Sequence, residues 1–284
     1  MKTLMSWMQV NFYSNVLRRL VPLNILYPAD FIKKNKVCKS LYLLHGYGGN
    51  CNDWLVEGDA YAVSQQFGIC IIMPNGNNDF YVDTPRSGKN MDTFIVSELI
   101  DFTRRLLPLS DKREDTLVGG LSMGGYGALH LALGHSDIFG GCVALSTPMV
   151  FEREMLRNLS DKPVFMGIMR GYYQEVFGDD LDILPDSDYN LKVISKKLKE
   201  SGKEIPKLYL ACGYNDRLKY GNREYSEFLD SIGYEHIYEE GPGTHEWAFW
   251  KPFIKKGLST IIPTRSRGKS QLWVEADTYE RSEH

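Results

Sequence analysis

The residues Gly120-Leu-Ser-Met-Gly124 carry the strongest chemical signal in this chain. The pattern G-x-S-x-G sets a serine hydroxyl on a tight turn between a strand and a helix, and glycine at both flanks lets neighbouring backbone come close. Thr116 to Gly119 reads as the strand before the turn. Gly125, Gly127 and Ala128 carry small residues onto the helix after it. A serine hydroxyl attacks a carbonyl only when a base takes its proton, so Ser122 requires a histidine and an acid, expected in the chain order Ser, Asp or Glu, His.

Of the histidines, His45, His130, His135, His236, His245 and His284, five follow Ser122. His130 lies on the helix that Ser122 opens and His135 just past its end, so neither can turn back to the serine. His236 sits in an apparent strand, and His284 ends a polar tail. His245 is left, in the glycine-rich loop Gly241-Pro-Gly-Thr-His245 that follows the last strand. Loops at the C-terminal ends of parallel strands are where an open α/β sheet puts its site. The acid is expected one loop earlier, at Asp216, after the apolar run from Lys207 to Cys212; Asp186 and Asp188 are the reserves. Asp216 would accept the Nδ1 proton of His245 and hold the ring in the tautomer that leaves Nε2 free to act as a base.

Another apolar run, Leu41 to Leu44, leads into His45-Gly-Tyr47-Gly-Gly-Asn50. Such a loop supplies a backbone N–H to a developing oxyanion, and the donors expected are the amides of Tyr47, or a residue beside it, and Met123. His45 is read as a structural residue that holds the loop. Trp54, Phe80, Tyr81 and Trp247, with Tyr47 and Phe249, are candidates to line an apolar or sugar-stacking pocket, although about half of such aromatics belong to the core. His245-Glu246 begins a zinc motif whose second histidine would be residue 249, which is Phe. Gly268-Lys-Ser270 resembles the end of a phosphate loop, but residue 263 is Pro where glycine is required. No cofactor and no metal are expected.

Taken together, Leu43-Leu-His-Gly-Tyr-Gly-Gly-Asn50 with Trp54, Gly120-Leu-Ser-Met-Gly-Gly-Tyr-Gly-Ala128 and Gly243-Thr-His-Glu-Trp247 resemble the esterase D group of α/β-hydrolases. Its relatives include tributyrin esterases, S-formylglutathione hydrolases and the acetyl xylan and feruloyl esterases of carbohydrate esterase family one. The resemblance spans about residues 8–260 and is strongest to the tributyrin-esterase branch. It implies a serine carboxylesterase with Ser122, Asp216 and His245 as its triad, acting on short-chain acyl, acetylated-sugar or feruloyl esters. Acyl transfer through the same triad is the alternative, and a non-catalytic binding protein on this scaffold is a more remote one.

The elements that must position these residues are legible too. Apolar runs at 8–14, 22–27, 40–45, 69–74, 115–119, 141–146, 207–212 and 234–239 read as strands. They alternate with helical patterns at 59–66, 92–107, 123–134, 187–201, 221–232 and 246–258. That rhythm predicts an α/β-hydrolase fold: a mainly parallel eight-stranded sheet with helices on both faces and an antiparallel lead-in. In the 92–107 helix the stripe Ile95, Leu99, Phe102 and Leu106, widened by Val96, Ile100, Thr103 and Leu107, is expected to face the core, with Asp92 as N-cap and Pro108 as stop. Residues 148–190 break the rhythm and are expected to form a lid-like insertion in a domain spanning 1–262, with Phe151, Met155, Phe165, Met169 and Tyr172 walling the acyl pocket. Residues 263–284 form a polar tail.

Composition narrows the partners. With 33 basic and 36 acidic residues in 284, the net charge of −3 gives no footprint for nucleic acid or an anionic membrane. A small-molecule ester, including an esterified sugar, is the expected partner, and a homo-oligomer stays open. Five cysteines without a Cys-x-x-Cys pair fit a reducing compartment. With no signal-peptide pattern and no membrane span, the reading is a cytoplasmic protein.

Overall fold

The computed structural model describes residues 5–28, 37–84, 89–149, 156–162 and 169–262. Its strands are β1 (Met5–Ser14), β2 (Arg19–Pro28), β3 (Ser40–Leu44), β4 (Cys70–Pro74), β5 (Thr116–Leu121), β6 (Gly141–Leu145), β7 (Lys207–Gly213) and β8 (His236–Gly241). They form one sheet in the order β1-β2-β4-β3-β5-β6-β7-β8. β1 pairs antiparallel with β2, and β2 antiparallel with β4, while β3 to β8 pair parallel. The expected α/β-hydrolase sheet with its antiparallel lead-in is therefore present. β1 and β2 begin at Met5 and Arg19 rather than at 8 and 22, because the hairpin ladder continues through the polar ends of both runs.

The helices are α1 (Ala60–Phe67), α2 (91–106), α3 (Met123–Gly134), α4 (Arg170–Phe177), α5 (Leu191–Glu200), α6 (Lys219–Ser231) and α7 (Trp247–Ile261). Strand side chains alternate between two cores, as a pleat requires. Tyr42, Leu44, Cys70 and Ile72 pack on the side of α2 to α6, whereas Leu41, Leu43, Ile71 and Met73 pack on the side of α1 and α7. Helices thus cover both faces. Among the described residues, no helix is long and apolar enough to cross a membrane.

Helix α2 corrects two expectations. Its middle, Phe94–Leu99, is a π-helical turn. A pure α-helix drifts by about 40° at each i+4 step, and a wider π turn takes up that drift, so the buried stripe runs through Ile95, Leu99, Thr103 and Leu107. Leu106 is exposed instead. Asp92 is not the N-cap, because the helix begins at Met91. Its carboxylate accepts from His135 Nε2 at 2.6 Å and lies 3.2 Å from His130 Nε2 on α3.

This cluster ties α2 to the helix that carries the serine turn. Burial pushes the Asp92 carboxyl up, but the bonds from His130 and His135 outweigh it and bring its pKa down to about 2. The bond to Asp92 raises His135, against its burial. A depressed carboxyl stabilises the fold above its ordinary value of 3.8 and loses that contribution as pH falls towards 2. A raised imidazole contributes fully below 6.5 and loses its share as pH rises through its folded value. The cluster is therefore strongest between those two ordinary values. Asp92→Asn is expected to cost about 2 kcal/mol there and less at either side, read from urea unfolding at pH 3, 5.5 and 8.5. A loss that does not vary with pH would mean that packing alone is at stake.

Candidate active site

The site lies along the C-terminal edge of the parallel strands. His45 follows β3, Ser122 follows β5, Ser146 follows β6, Asp216 follows β7 and His245 follows β8. β3 and β5 flank the point where the chain reverses its direction of travel across the sheet, which opens a crevice there.

Ser122 has φ 52° and ψ −124°, a conformation that costs a non-glycine residue of the order of 1–3 kcal/mol. Close packing holds it. A Cβ on Gly120 would lie 2.4 Å from the Gly124 carbonyl oxygen, and one on Gly124 would lie 2.5 Å from that of Leu44, so both flanks must be glycine. The Ser122 amide donates to Leu145 O at 2.8 Å, and its carbonyl accepts from Gly125 and Tyr126, which starts α3.

The structure brings together three residues that the sequence keeps far apart. His245 Nε2 is 3.0 Å from Ser122 Oγ, and His245 Nδ1 is 2.9 Å from Asp216 Oδ2. Asp216 is 3% exposed, and its other oxygen accepts from the Leu218 amide at 2.9 Å. Burial pushes this carboxyl up, but hydrogen bonds from His245, the Leu218 amide and Ser146 hold it below the usual carboxylate range. An ionised carboxylate only accepts, so Nδ1 of His245 carries the proton and Nε2 turns its lone pair to the serine. The two loops are joined by their own backbone, with Tyr214 donating to Gly241 O and Asn215 to Gly243 O. Of the reserve acids, Asp188 is ion-paired with Lys197 on the surface and Asp186 is exposed.

Two positioning residues were not anticipated. Trp250 Nε1 donates to Ser146 Oγ at 3.0 Å, and Ser146 hydrogen-bonds Asp216. The Trp250 ring also meets His245 edge-on at 5.0 Å. The available signal was a small polar residue at the C-terminal end of β6 and a tryptophan one turn into the helix after His245.

On the other side of Ser122, the loop after β3 is held as expected. Gly76 N–H donates to His45 Nε2 at 2.9 Å, which makes Nδ1 the protonated nitrogen, donating to Gly46 O at 2.8 Å. Burial lowers the pKa of this imidazole. A Cβ on Gly46 would lie 3.5 Å from Ser122 Cβ, so the backbone leading to Tyr47 passes beside the serine. Met123 opens α3, where the first amides have no intrahelical acceptor. The Tyr47 ring meets Tyr172 of α4 edge-on at 5.4 Å. Tyr172 Oη donates to Asn78 O at 2.5 Å, and Asn78 Oδ1 accepts from Gly48 N–H at 2.7 Å. Helix α4 thereby touches the Tyr47 loop both through a ring contact and through Asn78.

Three of the four aromatic residues expected at the pocket wall are corrected. Trp54 is 1% exposed and donates to Leu44 O at 2.9 Å, anchoring the end of β3. Tyr81 is 0% exposed, donates to His45 O, and fills the space left by Gly76 and Gly127. Phe80, 4% exposed, packs against Tyr126 and Phe177. Their apolar surface is consumed by the scaffold behind the site. Trp247 alone of the four is partly exposed, edge-on to both Trp54 and Trp250. Of the insertion residues, Phe151, Met155 and Phe165 lie outside the described residues, whereas Met169 and Tyr172 are half-buried.

A strand-turn-helix serine at the edge of a mainly parallel sheet defines the α/β serine-hydrolase class. Residues 14–176 match the family described as "Putative esterase", and the chain belongs to that family. It is 37% identical over 257 residues to an acetyl esterase of Caldicellulosiruptor saccharolyticus, covering 88% of this chain and 96% of that protein. Among solved structures it is similar to the substrate-bound fluorophosphonate-binding serine hydrolase F of Staphylococcus aureus (TM-score 0.81, 26% identity, 91% of this chain and 99% of that one). The S-formylglutathione hydrolase FrmB of the same organism gives a TM-score of 0.78 at 27% identity, again covering 91% and 99%. The chain is a carboxylic ester hydrolase.

Proposed function

We propose that Ser122, His245 and Asp216 form the catalytic triad of a short-chain carboxylesterase, with the amides of Tyr47 and Met123 as its oxyanion hole. The observation that carries this reading is the unbroken hydrogen-bonded line from Asp216 through His245 to Ser122. Ser122 Oγ attacks the ester carbonyl as His245 Nε2 takes its proton, and the tetrahedral oxyanion is held by the two amides. His245 then gives that proton to the departing alkoxide, which leaves as the alcohol and an acyl-Ser122 ester. Water, deprotonated by His245, attacks the acyl group, and the acid leaves as Ser122 recovers its proton. Each half balances without a cofactor.

The substrate is an acetyl or other short acyl ester, including acetylated sugars. The acetyl esterase relative supports this acyl class, as does the edge-on contact of Tyr172 with Tyr47, on the loop whose backbone passes beside Ser122 at Gly46. Feruloyl esters are the bulkier members of the range. Cytoplasmic residence goes with this reading, supported by five buried cysteines that are all free thiols.

The test is a panel of p-nitrophenyl acetate, butyrate and octanoate, a feruloyl ester and an acetylated sugar, with products separated as free acid or transacylated alcohol. Acetyl and butyryl esters are expected to lead, with free acid as the main product. Tyr172→Ala should shift the octanoate-to-acetate ratio of kcat/KM towards octanoate by about tenfold, the low end of the roughly 1–3 kcal/mol that one pocket contact discriminates. An unchanged ratio would move the acyl pocket to the Trp247 side.

A further inference from the structure

The two edges of the sheet are built differently. β8 carries Glu239 and Glu240, ion-paired with Lys256 and Arg223, and charges of this kind keep an edge from pairing with another chain. β1, at the opposite edge, has ten residues, Met5-Ser-Trp-Met-Gln-Val-Asn-Phe-Tyr-Ser14, with no charge, no proline and no glycine. None of the usual devices that blunt an edge is present in it.

The ladder shows which of its backbone groups point outward. Pro22 lies opposite Asn11, and its carbonyl accepts from Asn75 at the end of β4. In an antiparallel pair the N–H and C=O of one residue point to the same side. Pro22 therefore faces β4, and Asn11 faces away from β2. By alternation Trp7, Gln9, Asn11 and Tyr13 all present backbone donors and acceptors to the side of β1 on which no strand pairs among the described residues. Their side chains share one face and all four are exposed, Trp7 at 58% and Tyr13 at 56%. Met8, Val10 and Phe12 turn the other way and pack on the core. Leu20, opposite Tyr13 on β2, extends the exposed apolar stripe.

We propose that β1 is a dimer interface, pairing antiparallel with β1 of a second copy across a two-fold axis at Val10, so that the eight-stranded sheet continues from one subunit into the other. The strand's own pattern argues for a second copy. An isologous contact requires outward-facing residues to meet outward-facing residues on an identical strand. With Val10 opposite itself, Trp7 meets the partner's Tyr13 and Gln9 meets the partner's Asn11, each twice. These are aromatic and amide cross-strand pairs, on a strand with no charge to repel its own copy. This inference is independent of the catalytic reading.

Sedimentation velocity of the full chain is expected to give a dimer. Gln9→Lys with Asn11→Lys sets like charges opposite each other and should raise the dimer dissociation constant by at least about tenfold. Ester hydrolysis per chain should stay at the parent level, because β2, β4 and β3 separate this edge from β5. Val10→Cys, in a chain whose other cysteines are buried, should form a disulfide-linked dimer under mild oxidation, which reads the register even if the lysine variant misfolds. A monomeric parent, a dimer that the two lysines leave intact, or a Val10→Cys protein that does not cross-link would each overturn the proposal.

Discussion

Ser122→Ala is expected to lower kcat on p-nitrophenyl acetate by on the order of 10³-fold or more and to abolish labelling by a fluorophosphonate. The alanine keeps the elbow, since φ 52° is enforced by Gly120 and Gly124 packing against neighbouring carbonyls rather than by the hydroxyl. It removes the only atom of residue 122 within bonding reach of His245 Nε2. What rate persists would come from attack by water on an ester polarised by the proposed oxyanion-hole amides of Tyr47 and Met123. A companion variant separates chemistry from strain. Ser122→Gly loses the same hydroxyl but relaxes the positive φ, so it should be more stable than Ser122→Ala by about 1 kcal/mol in urea unfolding while remaining as inactive. Stoichiometric fluorophosphonate labelling of the alanine variant would remove Ser122 from the mechanism altogether.

Much of this arrangement could be read from the chain because its signals are local. Leu41–Leu44 and Ile69–Met73 are apolar at consecutive positions, which only a strand covered on both faces tolerates, and those strands lie inside the sheet. The glycines around Ser122 mark backbone crowding, and the loop positions of Asp216 and His245 follow from the strands before them. Other residues failed the same reading for a common reason. Spacing says which side chains share a face, but not what stands opposite that face. Trp54, Phe80 and Tyr81 lie close to the site in sequence terms, yet each is turned into packing behind it by partners at Leu44, Tyr126 and His45. Asp92 looked like a cap because its partners, His130 and His135, lie on another helix. Leu106 was misassigned because no local signal announces a π turn at Phe94–Leu99. The Trp250–Ser146–Asp216 link joins residues 104 apart and then crosses to the next strand, a relation that appears only once β6, β7 and α7 are packed.

Asp216→Asn should lower kcat by on the order of 10³ to 10⁴-fold while leaving the fold almost undisturbed, and the reason lies in where its oxygens point. One carboxylate oxygen accepts from the Leu218 amide and the other from His245 Nδ1. An asparagine has a single oxygen. If that oxygen keeps the Leu218 amide, the amide nitrogen faces His245 and donates to Nδ1, which forces the ring proton onto Nε2. The nitrogen that should accept the Ser122 proton is then itself a donor, and the base is lost although no atom has moved appreciably. If the side chain flips to preserve the His245 bond, the Leu218 N–H meets an NH2 group and a buried donor goes unsatisfied, at a cost of about 1–3 kcal/mol. The first arrangement is therefore favoured, and it is the inactive one. Hydrogen bonds from His245, the Leu218 amide and Ser146 hold Asp216 ionised below the usual carboxylate range, so the parent keeps at neutral pH the charge that Asp216→Asn removes. The measurement is kcat for Asp216→Asn and Asp216→Ala beside near-ultraviolet circular dichroism, with the His245 Nε2 proton followed by nuclear magnetic resonance. If Asp216→Asn retained more than about a tenth of parental kcat, the carboxylate would not be setting the tautomer.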